Sequence, residues 1–118
     1  MSWGSCTKVY EGHGNVLTLV PYADIRSREL LDMSGVTEVQ VCVGSSPVAS
    51  STLNPTSIVW EQEDPLDADS RWLLRLKLGL LPNLVTGEQR VRIVAYDAAY
   101  PNGLVVTDSF HVDVVGPC

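Results

Sequence analysis

Apolar and polar residues alternate with a period of two through the last third of the chain. Val91, Ile93 and Ala95 alternate with more polar neighbours, which is the pattern of a strand with one buried face. A second apolar run, Leu104 to Val115, follows Asn102-Gly103, a dipeptide that tolerates positive φ. The pattern predicts an antiparallel β-hairpin with a long loop that contains proline.

Short runs of the same kind, separated by Gly, Pro, Asn and Asp, fill most of the remaining chain. They predict strands at Cys6 to Tyr10, Val16 to Tyr22, Thr37 to Val43, Val48 to Ser51 (a short edge segment), Ile58 to Glu63 and Arg71 to Leu78. In the clearest of them, Val39, Val41 and Val43 share the face that we expect to be buried.

Two connecting segments are rich in apolar residues and are predicted to close the ends of the core. Asp24 to Met33 is interpreted as an irregular crossing segment whose Leu30, Leu31 and Met33 fill one end. Gly79 to Leu84 is an apolar corner that we expect to seal the other end. Trp60 and Trp72 are also expected in the core, where burial of their large area contributes most.

Seven to eight strands at this spacing, with no long helix, are typical of two packed sheets. We therefore expect an all-β chain that forms an antiparallel, two-sheet β-sandwich, with a small barrel as the alternative. Strands separated by turns rather than by amphipathic helices exclude a doubly wound α/β fold. The 118 residues suit a single domain, 1–118, in which residues 1–5 form a flexible arm.

The charge and cysteine content limit the range of partners. The net charge is −6 and the eight basic residues are scattered, so binding to nucleic acid is not expected. No apolar run has the length that a membrane span requires, and Met1 to Ser5 lacks the regions of a secretory signal. Cys6, Cys42 and Cys118 form no regular pattern. We expect synthesis in a reducing cytoplasm, with Cys42 as a small filler in a strand and Cys118 as an exposed thiol.

Two segments together resemble a known family. Val16-Leu17-Thr18-Leu19, followed by Leu31 to Val41 with its Leu-Asp-Met-Ser-Gly-Val-Thr crossing, resembles the opening of immunoglobulin-like domains in structural proteins of tailed bacteriophages. The N-terminal module of baseplate upper proteins is one example. The runs Leu80 to Gly87, Val91 to Ala98 and Pro101 to Val105 are similar to small phage proteins of this length. The resemblance implies that the antiparallel β-sandwich is immunoglobulin-like. The chain lacks the cysteine pair and the tyrosine corner of antibody domains.

No catalytic or cofactor motif is present. The sequence contains no nucleophile elbow, zinc-protease motif, phosphate loop or dinucleotide fingerprint. His13 and His111 are interpreted as exposed polar residues. We expect no enzymatic activity, no cofactor and no metal. The acidic stretch with Asp64, Asp67 and Asp69 is interpreted as a solvated turn, with a Ca²⁺ site as the alternative.

Aromatic residues in exposed segments indicate where partners bind. Trp3 near the start of the chain, and Tyr100, Pro101 and Asn102 in the hairpin loop, are the predicted interface residues. The alternative is that Trp3 and Tyr100 fold back over the chain's own core. The resemblance implies a structural virion component that acts through protein–protein contacts at the head surface (as a decoration protein), neck, tail or baseplate. Other virion proteins and further copies of the chain are then the expected partners. The alternative is a carbohydrate- or receptor-binding module.

Overall fold

The computed structural model describes residues 7–44 and 49–116. The described residues form eleven short strands and two 3₁₀ turns, with no α-helix, so the chain is all-β. The strands are β1 (Thr7–Tyr10), β2 (Leu17–Leu19), β3 (Tyr22–Asp24), β4 (Glu29–Leu30), β5 (Glu38–Val43), β6 (Ala49–Ser50), β7 (Ile58–Gln62), β8 (Trp72–Leu76), β9 (Gly87–Tyr96), β10 (Leu104–Val105) and β11 (Phe110–Val115). The 3₁₀ turns are Met33–Gly35 and Leu78–Leu80.

The largest sheet has the order β1-β11-β9-β5-β6, with β10 also paired to β9. The central strand, β9, pairs with β5 from Val43↔Val91 to Glu38↔Tyr96. On its other side it pairs with β11 near its start and with β10 near its end. Because β9 is bonded on both sides, it fixes the register of this sheet.

A second sheet has the order β2-β8-β7, and β3 and β4 form a separate hairpin. Leu17, Leu76 and Ile58 are in register across the three strands of the second sheet. Their side chains therefore share one face of the sheet, and residues one position away share the other.

The buried residues of the two larger sheets belong to one hydrophobic cluster. The cluster combines Val39, Val41 and Val43 of β5 with the alternate residues of β9 and β11, and with Ile58, Leu74 and Leu76 of the three-stranded sheet. The period-two prediction is confirmed for β5 and β9, since each of their predicted inward residues is at most 3% exposed. Trp60 and Trp72 are half-buried and pack against the cluster.

The predicted strand Val16 to Tyr22 is wrong in its length, because β2 ends at Leu19 and β3 begins only at Tyr22. Pro21 lies in the gap, where it has no N–H to donate to a neighbouring strand. The predicted irregular segment Asp24 to Met33 is also more regular than expected, since its first part completes the β3–β4 hairpin. Leu31 and Met33 are buried as predicted, but Leu30 is half exposed on that hairpin.

The predicted continuous strand from Leu104 to Val115 is interrupted. Val105 pairs with Val94 and Phe110 pairs with Val91. Five residue steps from β10 to β11 therefore match only three steps along β9. The extra residues bulge from the sheet. Just before this bulge the Tyr22 N–H donates to the Val106 carbonyl oxygen (2.7 Å), which ties β3 to the segment between β10 and β11. These interruptions raise the strand number of the described residues above the predicted seven to eight.

The sheets are antiparallel except for one pair. β1 runs parallel to β11, from Thr7↔Val112 to Tyr10↔Val115. A parallel pair needs a long connection between its strands, and here nearly the whole domain provides it. The predicted arm at residues 1–5, which includes Trp3, lies outside the described residues, and so do Cys6 and Cys118. Cys42 is half-buried on β5.

Candidate functional site

The loop between β9 and β10 presents three of the four predicted interface residues. Asp97 holds the start of the loop, because its Oδ1 accepts hydrogen bonds from the N–H groups of Ala99 (2.8 Å) and Tyr100 (2.9 Å). The Gly103 N–H then donates to the Tyr100 carbonyl oxygen (3.0 Å). The backbone on both sides of Tyr100 is therefore fixed by short-range bonds.

The β3–β4 hairpin lies beside this loop. Its turn is held by Asp24, whose Oδ1 accepts a hydrogen bond from the Arg26 N–H (2.9 Å). Arg28 has a φ of 61°, a left-handed conformation that closes the turn at some cost in strain. Its guanidinium lies 5.3 Å from the centre of the Tyr22 ring, within the range of a cation–π contact.

A groove of about 570 Å³ separates the hairpin from the loop. We call it the Tyr100 groove; its lining residues are Ala23, Asp24, Ile25, Arg26, Glu29, Tyr100, Leu104 and Val105. Tyr100 is 38% exposed at its edge, and Pro101 and Asn102 are exposed at the tip of the loop. The structure thus brings Tyr100 together with a hairpin that the sequence analysis did not connect to it. Trp3 lies outside the described residues.

Residues 63–70, which we call the acidic turn, connect β7 to β8. Ion pairs occupy the carboxylate just before this turn and the one at its start. Glu61 is 2.7 Å from Arg75 Nη1, and Glu63 is 2.8 Å from Arg71 Nη2. The hydrogen bond to Glu63 raises the pKa of the Arg71 guanidinium. Both carboxylates face a guanidinium on β8 or next to it.

The acidic turn uses its side chains to hold its own backbone. Asp64 Oδ1 accepts a hydrogen bond from the Leu66 N–H (3.1 Å), and Asp67 Oδ1 accepts one from the Asp69 N–H (2.9 Å). Within residues 7–44 and 49–116, no three His, Cys, Asp or Glu side chains gather in a way that could hold a metal ion.

The histidines lie apart from these features. His111 is exposed on β11 opposite Arg90, and His13 is exposed in the turn after β1. Both positions agree with the interpretation of these residues as exposed polar side chains.

A second groove was missed by the sequence analysis. Val16, Pro55, Thr56, Val59, Arg75 and Lys77 line about 520 Å³ on the outer face of the three-stranded sheet; we call it the Lys77 groove. Val16 and Val59 are 52% and 41% exposed. The only signal in the sequence is that Val16 and Val59 are apolar at positions where the alternating pattern predicts an outward-facing polar residue.

Among the described residues, no helix is long and apolar enough to cross a bilayer. No family model matches the chain, and comparison with curated proteins and with solved structures finds no match either.

Proposed function

We propose that this chain is a non-enzymatic structural component of a tailed-phage virion, built as an immunoglobulin-like β-sandwich that acts through protein–protein contacts. The observation that carries the proposal is the strand order of the two larger sheets. That order agrees with the fold implied by the resemblance to phage structural domains.

The strand order can be compared directly with an immunoglobulin domain. In such a domain one sheet holds strands G, F and C, with C′ beside C in the variable type, and the other holds B, E and D. If β2 is taken as strand B, then β5, β6, β7, β8, β9 and β11 follow as C, C′, D, E, F and G. The orders β11-β9-β5-β6 and β2-β8-β7 then agree with both sheets.

The Tyr100 groove supports a role in docking. Tyrosine is enriched in protein interfaces because it buries a large area and loses few rotamers. Asp97 fixes the backbone at Tyr100 through two hydrogen bonds, so little conformational entropy is lost when a partner binds. Half-exposed Val105 adds apolar area on the same groove.

One observation favours the alternative, a carbohydrate- or receptor-binding module. Asp24, Arg26 and Glu29 line the groove together with Tyr100, and an aromatic ring beside hydrogen-bonding groups also suits a sugar. Binding of the full chain to a glycan array, with loss in Tyr100→Ala, would favour this alternative over the virion role.

The virion role is tested by measuring whether purified particles contain the chain and whether added chain binds to them. Particles produced from the genome that encodes the chain should contain it, and an antibody against it should label them. Purified chain should also bind particles made without it. Tyr100→Ser should weaken this binding by about tenfold or more, as expected for an aromatic interface residue. The matched control is Tyr10→Ser, because Tyr10 is 43% exposed on β1 outside the groove.

Absence of the chain from purified particles would refute the virion role. Equal binding of the Tyr100→Ser and wild-type chains to particles would leave the virion role standing and would refute the groove as the contact.

A further inference from the structure

The Lys77 groove combines apolar walls with positive charge. Val16 and Val59 are half exposed in it, which costs free energy unless something covers them. Its two charged lining residues, Arg75 and Lys77, are both cations, in a chain whose net charge is −6. A fitting partner therefore brings apolar area together with carboxylates.

Lys77 is the cation that remains available. Arg75 already forms an ion pair with Glu61 (2.7 Å). Within residues 7–44 and 49–116, the Lys77 ammonium forms no ion pair and no hydrogen bond, although the residue is half-buried. A carboxylate from a partner would therefore meet a cation that no carboxylate of the described residues already neutralises.

The same chain carries a segment with the complementary chemistry. The turn between β7 and β8 holds Asp64, Asp67 and Asp69 around Leu66, whose side chain is 98% exposed. It offers apolar area next to three carboxylates, which is the combination that fits the Lys77 groove.

The acidic turn is also held in one shape. Gln62 Nε2 lies 3.1 Å from the Ala68 carbonyl oxygen and 3.2 Å from that of Ser70. Ser70 Oγ donates to the Asp64 carbonyl oxygen (2.8 Å). A turn that is rigid before it binds loses less entropy on docking than a flexible one.

The acidic turn cannot fill the groove of its own chain. The groove lies at the Val59↔Arg75 pair, whereas the turn begins beyond Gln62↔Trp72. Three residues of strand, or about 10 Å, separate the two pairs, and the turn continues away from the groove. A second copy displaced along the strand direction would instead bring its turn to the groove.

We propose that copies of this chain associate head to tail, with the acidic turn of one copy in the Lys77 groove of the next. Leu66 packs between Val16 and Val59, and a turn aspartate pairs with Lys77. The contact joins two different surfaces, so it repeats into a ring or a filament. The inference rests on the proposed role as a repeated structural component, and names the surfaces through which copies would meet.

The test is sedimentation velocity on the full chain over a concentration series. The wild-type chain should form assemblies larger than dimers. Lys77→Glu and Leu66→Ser should each weaken association by about tenfold or more. Arg92→Glu, which makes the same charge change at an exposed site on β9, and Val85→Ser, which removes a half-exposed apolar side chain outside both surfaces, should associate like the wild type.

A mixture of the two variants gives the sharpest result. The Lys77→Glu chain keeps an intact acidic turn, and the Leu66→Ser chain keeps an intact Lys77 groove. The turn of the first chain can therefore still bind the groove of the second. An equimolar mixture should form a 1:1 dimer that grows no further, and added salt should weaken it because charges contribute. Circular dichroism of each variant checks that it is folded.

A wild-type chain that stays monomeric, or variants that associate like the wild type, would overturn the head-to-tail contact. A mixture that forms no dimer would do the same. If head-to-tail association fails but the chain is found in purified particles, the proposed function still stands. If the chain associates head to tail but is absent from purified particles, only the virion role is refuted.

Discussion

Gly103 lies against the ring of Tyr96, so that a methyl group on its α-carbon would stand 2.9 Å from the ring atom Cε1. The same methyl group would stand 2.6 Å from Val94 Cγ1. Gly103 also has a φ of +88°, where any other residue is strained. The β9–β10 loop can therefore return to its own strand only through a glycine.

Gly103→Ala should destabilise the fold by about 2–4 kcal/mol, from backbone strain and overpacking together. Gly12→Ala is the matched control, because Gly12 has nearly the same φ, +84°, and open space around it. It should cost only about 1 kcal/mol. Denaturant unfolding of both variants measures the difference, and equal losses would contradict the close packing at Tyr96.

Asp32 should stabilise the fold in a pH-dependent way. Hydrogen bonds from the Ser34 N–H and hydroxyl lower the pKa of Asp32 below 3.8, and the Trp72 indole adds a smaller effect. A group whose pKa is lowered by folding stabilises the fold at pH values above the pKa that it has in the unfolded chain. It loses this contribution as the pH falls through the pKa that it has in the folded chain.

Asp32→Ala should therefore lower the free energy of unfolding by about 0.5 kcal/mol at neutral pH, since the site is exposed. The difference from the wild type should shrink below pH of about 4. Asp32→Asn, which keeps the acceptor, should stay near the wild type at neutral pH and lose the pH dependence. Asp32 caps the 3₁₀ turn Met33–Gly35 by accepting a hydrogen bond from the Ser34 N–H. A constant difference from pH about 2 to 7 would be inconsistent with this role of its carboxylate.

Truncation of two leucines on one hairpin should change stability by very different amounts. Leu74 is 1% exposed on β8 and Leu66 is 98% exposed in the acidic turn. Leu74→Ala should cost about 2–5 kcal/mol through lost burial and a cavity, whereas Leu66→Ala should change stability by less than about 0.5 kcal/mol. Thermal and denaturant unfolding of the monomer measure both.

The Gln62 amide should control the order of the acidic turn. Gln62→Ala removes donors to the carbonyl oxygens of Ala68 and Ser70, so the N–H groups of Asp69 and Ser70 should exchange with solvent about tenfold faster. Gln89→Ala is the control, since the Gln89 amide on β9 donates to the carbonyl oxygen of Thr86, just before that strand and away from the acidic turn. Unchanged exchange in Gln62→Ala would mean that the turn is held by other bonds.

Calcium should leave the melting temperature unchanged. Asp64 and Asp67 each accept a hydrogen bond from a backbone N–H of the acidic turn, and a bound ion would have to compete with those bonds. Calorimetry with and without millimolar Ca²⁺ measures this. A rise of several degrees would instead assign the turn to metal binding.

Much of the core could be predicted from the sequence because period-two alternation depends on neighbouring residues alone. Val39, Val41 and Val43 are buried as predicted. Features that depend on pairing between distant residues could not be found in this way. The outward position of Leu30 follows from its pairing with Tyr22 in a hairpin, and the last strand is interrupted just after Val106, whose carbonyl oxygen accepts a hydrogen bond from the distant Tyr22 N–H.

The same distinction applies to the candidate site. The exposure of Tyr100 could be predicted from Pro101 and Asn102 beside it. The groove at Tyr100 could not, because its other wall contains Asp24 and Arg26, and only the tertiary fold brings that hairpin to the loop. The Lys77 groove likewise requires knowing that Val59 and Arg75 are in register.

The parallel alignment of β1 with β11 determines how the domain would bear tension. A pull backward at Thr7 and forward at Val115 would slide the two strands past each other along their length. All four registered residue pairs would then share the load at once, rather than open in turn as in a peeled hairpin. A subunit linked to its neighbours through these two strands would resist stretching best along that one direction.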